Sequence, residues 1–85
     1  MKPQDVALKA KEQLGALTGL IATTISDLQK QDDGWKVVLE LLEMQRIPEA
    51  SDVLGSYEVI LSDQGDLLSY HRTRRYLRSD ILDEQ

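Results

Sequence analysis

The segment from Trp35 to Met44 narrows the fold more than any other part of this chain. Its odd positions are Trp35, Val37, Leu39 and Leu41, and its even positions are Lys36, Val38, Glu40, Leu42 and Met44. Apolar residues at every second position line one face of a β-strand. A helix competes, because LELLEM holds good helix formers. The preceding Asp33-Gly34 and the Val37-Val38 pair favour the strand. A half-buried strand needs sheet partners, and the chain supplies three. Residues 20–29 turn to Ile and Thr, residues 56–62 alternate Tyr57, Val59 and Leu61, and residues 67–77 read as a last strand. QKQDDG provides an Asp-Gly turn before the central strand. SDQGD fits a type I turn followed by Gly65 in the left-handed region, which makes a three-residue hairpin loop. Ile25 and Leu28 share a face only if an extra residue intervenes, so a bulge is expected near Ser26–Asp27.

Residues 3–18 read as a helix. Val6, Ala10, Leu14 and Leu17 form one apolar stripe. Pro3 suits the first turn, where its missing N–H costs nothing, and Gly19 is the stop. Gly15, inside the helix, costs up to ~1 kcal/mol relative to Ala and would permit close packing. RIPEASDVLG at 46–55 is a connector, with one helical turn expected over Ser51–Leu54, capped by Ser51. The expected architecture is α+β: one N-terminal helix (3–18) packed on a four-stranded antiparallel meander (20–29, 35–44, 56–62 and 67–77), with a short acidic tail (79–85). The 85 residues are read as a single domain.

Composition excludes more than it selects. Leu, Ile and Val make up 24 of 85 residues, enough for a folded core. There is no Cys, hence no disulfide, thiolate metal site or cysteine nucleophile. The single imidazole, His71, has no nucleophile–carboxylate constellation around it. Asp32, Asp33, Asp63 and Asp66 lie in turns, where Asp is common for its backbone hydrogen bonds. Neither catalytic residues, a cofactor nor a metal is expected. MKPQDVALKAKEQ holds no apolar core of a secretory signal, and the longest uncharged run, Gln13–Ser26, is too short to span a bilayer. A cytoplasmic protein is expected.

The face pointing away from the helix is the informative one. A strand register set by the hairpin loop, with Ser62 opposite Asp66, would place Ile60 opposite Leu68 and Glu58 opposite Tyr70. Leu68, Tyr70, Arg72, Arg74, Tyr76 and Arg78 would then share the outer face with Val38, Leu42, Met44 and Ile60. The opposite parity, from Leu67 through His71 and Arg75 to Leu77, would join the core. Antiparallel sheets commonly leave a polar second face. A half-apolar one marks an interface unless the connector or the tail folds over it. Arg72 and Arg74 could pair with Glu40 and Glu58 as a solvated strand, or anchor an acidic protein partner. The expected partner-binding residues are Leu42, Met44, Arg46, Ile60, Leu68, Tyr70, Arg72, Arg74, Tyr76 and Arg78. A homodimer through the second sheet face is a further arrangement this pattern allows. Alternating Arg and Tyr also raises nucleic acid as a ligand, against which the net charge of −5 weighs.

The order of features resembles the gas vesicle protein O family. The resemblance rests on DGW at 33–35, VVLELLE at 37–43, RIPEASDVLGSYEV at 46–59, DQGDL at 63–67 and YHRTRRYLR at 70–78. It implies an accessory, non-enzymatic role in forming gas vesicles, the hollow protein shells that give buoyancy to bacteria and archaea. The implied partners are other gas vesicle proteins, shell or accessory, with no membrane and with a location in the cytoplasm or on the vesicle. The alternative function is a nucleic-acid-binding regulator of vesicle genes. The motif positions are Trp35, Glu43, Arg46, Pro48, Asp52, Tyr57, Glu58, Arg72, Arg75, Tyr76 and Arg78, to which the resemblance attaches no individual roles. Family members often carry longer charged N-terminal extensions, whose role is not carried over.

Overall fold

Val6, Ala10 and Leu14 recur every fourth residue, and all three are fully buried in a computed structural model that describes residues 1–82. They lie on helix α1 (Pro3–Thr18). Pro3 stands in its first turn, and Gly19 ends it at φ 72°, with its N–H donated to the Gly15 carbonyl at 2.8 Å. A left-handed C-cap of this kind favours Gly, which lacks the Cβ that would clash there. Leu17 belongs to the stripe by angle but is 59% exposed. The layer beneath the helix ends first, and Leu20 and Ala22 carry the core past it.

Four strands follow: β1 (Ile21–Gln31), β2 (Gly34–Met44), β3 (Val53–Ser62) and β4 (Leu67–Leu77). They form one antiparallel sheet in the order β1-β2-β3-β4, the expected meander. Val37, Leu39, Leu41, Tyr57, Val59 and Leu61 pack against α1. Burying each such side chain contributes about 1.5–3 kcal/mol. Gln13 fastens the helix to the β3–β4 loop: its Nε2 donates to the Gly65 carbonyl at 2.7 Å, and its Oε1 accepts the Leu67 N–H at 2.9 Å.

Two bulges give β1 its face. Ala22, Ile25 and Leu28 are three residues apart, which in a regular strand would alternate sides. Register shifts at Thr23 and Ser26 bring them opposite Leu41, Leu39 and Val37. The bulge at Ser26 is the expected one, and the bulge at Thr23 is additional.

The turns follow the expectation in one case and depart from it in another. Gly65 has φ 87°, and the Ser62 N–H donates to the Asp66 carbonyl at 2.8 Å, closing the three-residue loop. In the first hairpin, however, Asp32 and Asp33 are the turn residues and Gly34 is already strand. Gly34 has no positive φ. It is required because a Cβ there would collide with the Leu61 carbonyl of β3. β3 starts at Val53, so Val53 and Leu54 are strand, and the connector's helical turn is a 3-10 turn at Glu49–Ser51. The tail opens with a short helix, α2 (Arg78–Leu82); the rest of the acidic tail lies outside the described residues.

A Cβ at Gly15 would meet only the Leu20 carbonyl oxygen, at an ordinary 3.7 Å, so close packing does not require the glycine. Gly15→Ala is expected to raise stability by about 0.5–1 kcal/mol. Leu39→Ala, which empties a fully buried site, is expected to lower it by about 2–5 kcal/mol. Urea unfolding of both variants checks the two signs.

Candidate interaction site

The basic run at 71–78 does not form one stripe. β4 carries two bulges, at Leu68 and Thr73. Each adds a residue without a partner and reverses the parity of everything beyond it. Ile60 therefore pairs with Ser69 and Glu58 with His71, not with Leu68 and Tyr70. Tyr70 and Arg72 stand opposite Val59 and Tyr57, on the helix side of the sheet. Past Thr73 the parity returns, and Arg74 and Tyr76 stand opposite Ser56 and Leu54 on the second face. Arg78 has left the strand for α2. Ser69 and His71 move correspondingly from the expected core to the second face. Unbroken alternation over eleven residues was the assumption that failed.

Each part of the run meets a carboxylate. Glu43, whose side chain is 9% exposed, lies on the helix side. It accepts hydrogen bonds from Arg72 Nη1 at 3.0 Å and Tyr57 Oη at 2.8 Å, and Arg75 Nε stands 3.3 Å away. Gly55 makes room for it, since a Cβ there would collide with the Glu43 carboxylate. Burial, and then the bond to Glu43 and its charge, raise the Tyr57 hydroxyl above the ordinary tyrosine range.

Glu40 lies on the second face, 9% exposed. Its carboxylate accepts Ser56 Oγ, Tyr76 Oη at 2.6 Å and Ser26 Oγ at 2.8 Å. Thr23 Oγ1 donates to its backbone carbonyl at 2.9 Å, so both bulged residues of β1 serve this one glutamate. The Arg74 guanidinium lies 4.5 Å from the Tyr76 ring centroid. Burial pushes the Glu40 carboxyl up. The hydrogen bonds from Ser56, Tyr76 and Ser26, with the charge of Arg74, outweigh it and hold the group below the ordinary carboxylate range. Burial, then the bond to Glu40 and its charge, push the Tyr76 hydroxyl up to about 12.

Asp52, with a side chain only 3% exposed, closes the end of the sheet. Its Oδ1 accepts the Arg46 N–H at 2.7 Å, and its Oδ2 meets Arg78 Nε at 3.3 Å and Nη2 at 3.2 Å. The Asp52 carbonyl accepts the Arg78 N–H at 2.8 Å. Connector, β3 and α2 thus share one carboxylate. No buried side-chain nitrogen or oxygen among the described residues lacks a partner.

The expected apolar positions remain as a broken surface. Leu42 lies on the second face between Ile21 and Leu54. Ile21 is 66% exposed, whereas Leu42, Val38 and Ile60 are half-buried. Leu54 and Tyr76, at one end of this face, are buried. Met44 does not share the face of Leu42: a register shift at Glu43 sets it opposite Val53, on the helix side. Met44 and Leu68 are exposed at opposite ends of the sheet, and Arg46 lies in the exposed connector. Glu58 pairs with Lys36 at 3.9 Å, not with an arginine of β4. Sequence reasoning missed Gln13, Ser26, Ser56 and the anchoring role of Asp52. The signals pointing to any of them were the broken alternation at Ser26 and the place of Asp52 among the motif positions of the resemblance.

The chain matches the family described as gas vesicle synthesis protein GvpO over residues 1–82. It belongs to that family. It is 42% identical over 76 residues to gas vesicle protein O of a Streptomyces species, covering 89% of this chain and 59% of the relative. It is 36% identical over 56 residues to gas vesicle protein O1 of Halobacterium salinarum, covering 66% of this chain and 47% of the relative. Gas vesicle protein O of Haloferax mediterranei is 38% identical over 52 residues, or 61% of this chain and 37% of that protein. The chain thus spans about half the length of the curated relatives it matches. No solved structure matches it. Among the described residues, no helix is long and apolar enough to cross a membrane.

Two outcomes are expected from the carboxylate network. The folded-state carboxyl of Glu40 lies below its unfolded value, so its contribution is present above the unfolded pKa and fades as pH falls through the folded one. Tyr76 has the opposite sign: its contribution is complete below about pH 10 and is lost as pH rises towards about 12. Tyr76→Phe should flatten the alkaline limb of stability against pH, measured by denaturant unfolding across that window. Replacing both Arg72 and Arg75 by Ala leaves Glu43 with only the Tyr57 hydroxyl, and is expected to cost about 1–3 kcal/mol. Thermal unfolding reads the loss, and restoration by Glu43→Gln in the same background would show that it comes from the stranded charge.

Proposed function

We propose that this chain acts in gas vesicle formation as a non-enzymatic assembly adaptor or minor component that binds other gas vesicle proteins in the cytoplasm. The observation that carries the reading is the partly apolar second sheet face of a chain from this family. α1 packs on the other face, and Ile21, Val38, Leu42 and Ile60 retain accessible apolar surface. Accessible apolar surface on an uncovered sheet face, even interrupted by polar residues, favours a protein partner. Shell subunits have to be apolar towards the gas, so a helper that shields or delivers them has a physical task. The basic run adds little to a phosphate-binding reading, because Arg72, Arg75 and Arg78 are held on carboxylates.

Co-purification with the products of the gas vesicle gene cluster tests the proposal. The wild-type chain is expected to retain at least one of them. Ile21→Lys with Leu42→Gln should abolish retention while the protein stays folded. Failure of the wild type to retain any product, together with normal vesicles in a deletion strain, would overturn the reading. A gel shift at low salt that fades steeply with added salt would turn it towards a regulator of vesicle genes.

A further inference from the structure

The chain's net charge is unevenly placed. Residues 27–33 and 62–66 carry Asp27, Asp32, Asp33, Asp63 and Asp66 against one lysine, Lys30. The two segments are neighbours, since Gln31 pairs with Gly34, Gly34 pairs with Ser62, and Lys30 Nζ lies 3.1 Å from Asp63 Oδ1. The two segments together carry a net charge of −4, and Lys36, opposite Gln29, and Lys9, beside Gly65, stand at the same end. The same end holds a cleft of about 530 Å³. Asp32, Asp33, Trp35, Ile60 and Leu68 are among the residues that line it, with the buried Gly34 and Leu61. Leu68 is 63% exposed, displaced from the strand pairing by its bulge. The bulge sets Leu68 beside Ile60 at this end.

This end already holds one ammonium group. Lys30 Nζ lies 5.5 Å from the Trp35 ring centroid and donates to the carbonyls of Gln31 at 2.6 Å and Gly34 at 3.3 Å. Lys30 already satisfies that cluster, whereas the carboxylates that line the cleft, Asp32 and Asp33, hold no ion pair among the described residues. We infer that the cleft between the Asp32-Asp33 turn and Leu68 docks a cationic, amphipathic segment of a partner protein, with an apolar side chain entering between Ile60 and Leu68 and lysine or arginine meeting Asp32 and Asp33. This rests on the adaptor reading and names the chemistry of the partner it would take. The apolar lining supplies the contact area, and the two aspartates select sign: an acidic segment would meet uncompensated like charge here.

Trp35 is the only tryptophan and lines the cleft, so its fluorescence reports on occupancy. The full chain is titrated with a short synthetic peptide of alternating lysine and leucine, and in parallel with glutamate–leucine and lysine–serine peptides of equal length. The lysine–leucine peptide is expected to shift Trp35 emission saturably. The other two should bind at least about tenfold more weakly. Asp32→Asn with Asp33→Asn, and separately Leu68→Ser, should each weaken the lysine–leucine peptide about fivefold or more while circular dichroism melting stays unchanged. Equal binding of the glutamate–leucine peptide would overturn the sign selection. Equal binding of the lysine–serine peptide, or affinity unchanged by both sets of substitutions, would overturn the cleft. If a gas vesicle protein co-purifies with the wild type and with these variants alike, the adaptor reading stands and this docking site falls. If the peptide binds as described but no gas vesicle protein is retained, the cleft stands and the adaptor reading falls.

Discussion

A carboxylate taken out of water costs several kcal/mol unless donors replace its hydration, and this small sheet takes out three. Glu40, Glu43 and Asp52 are each nearly enclosed, and much of the irregularity of the chain serves them. The bulges at Thr23 and Ser26 aim two hydroxyls at Glu40. Gly55 clears the space over β3 that the Glu43 carboxylate occupies. The bulge at Leu68 sends Arg72 to Glu43, and the bulge at Thr73 returns Arg74 and Tyr76 to the face of Glu40. A regular β4 would put Arg72, Arg74 and Tyr76 all on one side, and one of the two glutamates would lose its partners. The bulges of β1 and β4 follow from having acids on both faces of one strand, β2.

The helix and the meander were legible because their signals are periodic. Val6, Ala10 and Leu14 repeat every helical turn, and Val37, Leu39 and Leu41 every second residue, and both sets meet in the core. Gly65 was legible because its turn type needs a positive φ. The site was much less so. Register beyond a hairpin loop is a sum of steps, and one unseen bulge moves every later side chain to the other face. Nothing in Leu68-Ser69-Tyr70 or in Arg72-Thr73-Arg74 marks an unpaired residue; β1 betrayed one of its bulges only because Ile25 and Leu28 were both apolar. In a run of polar residues such as 69–75, parity leaves no trace. Gly34 misled for a related reason: Asp-Gly is a turn signature, but here glycine answers a close approach between strands.

The two ends of the sheet handle charge in different ways, and the contrast bears on function. At the end formed by Glu43, Asp52 and Arg78, arginines and carboxylates neutralise one another within the fold. A partner approaching there would have to compete with contacts that hold the connector and α2 in place. At the β1–β2 turn, Asp32 and Asp33 are exposed and take part in none of the molecule's ion pairs among the described residues. Unneutralised charge beside accessible apolar surface is expensive to conceal within the fold and inexpensive to present to a partner. Residues already committed to holding the sheet together have less freedom to recognise a partner, so the basic run, conspicuous in the sequence, belongs mainly to stability. On the proposed reading, recognition would fall instead to the face and margin that α1 leaves uncovered.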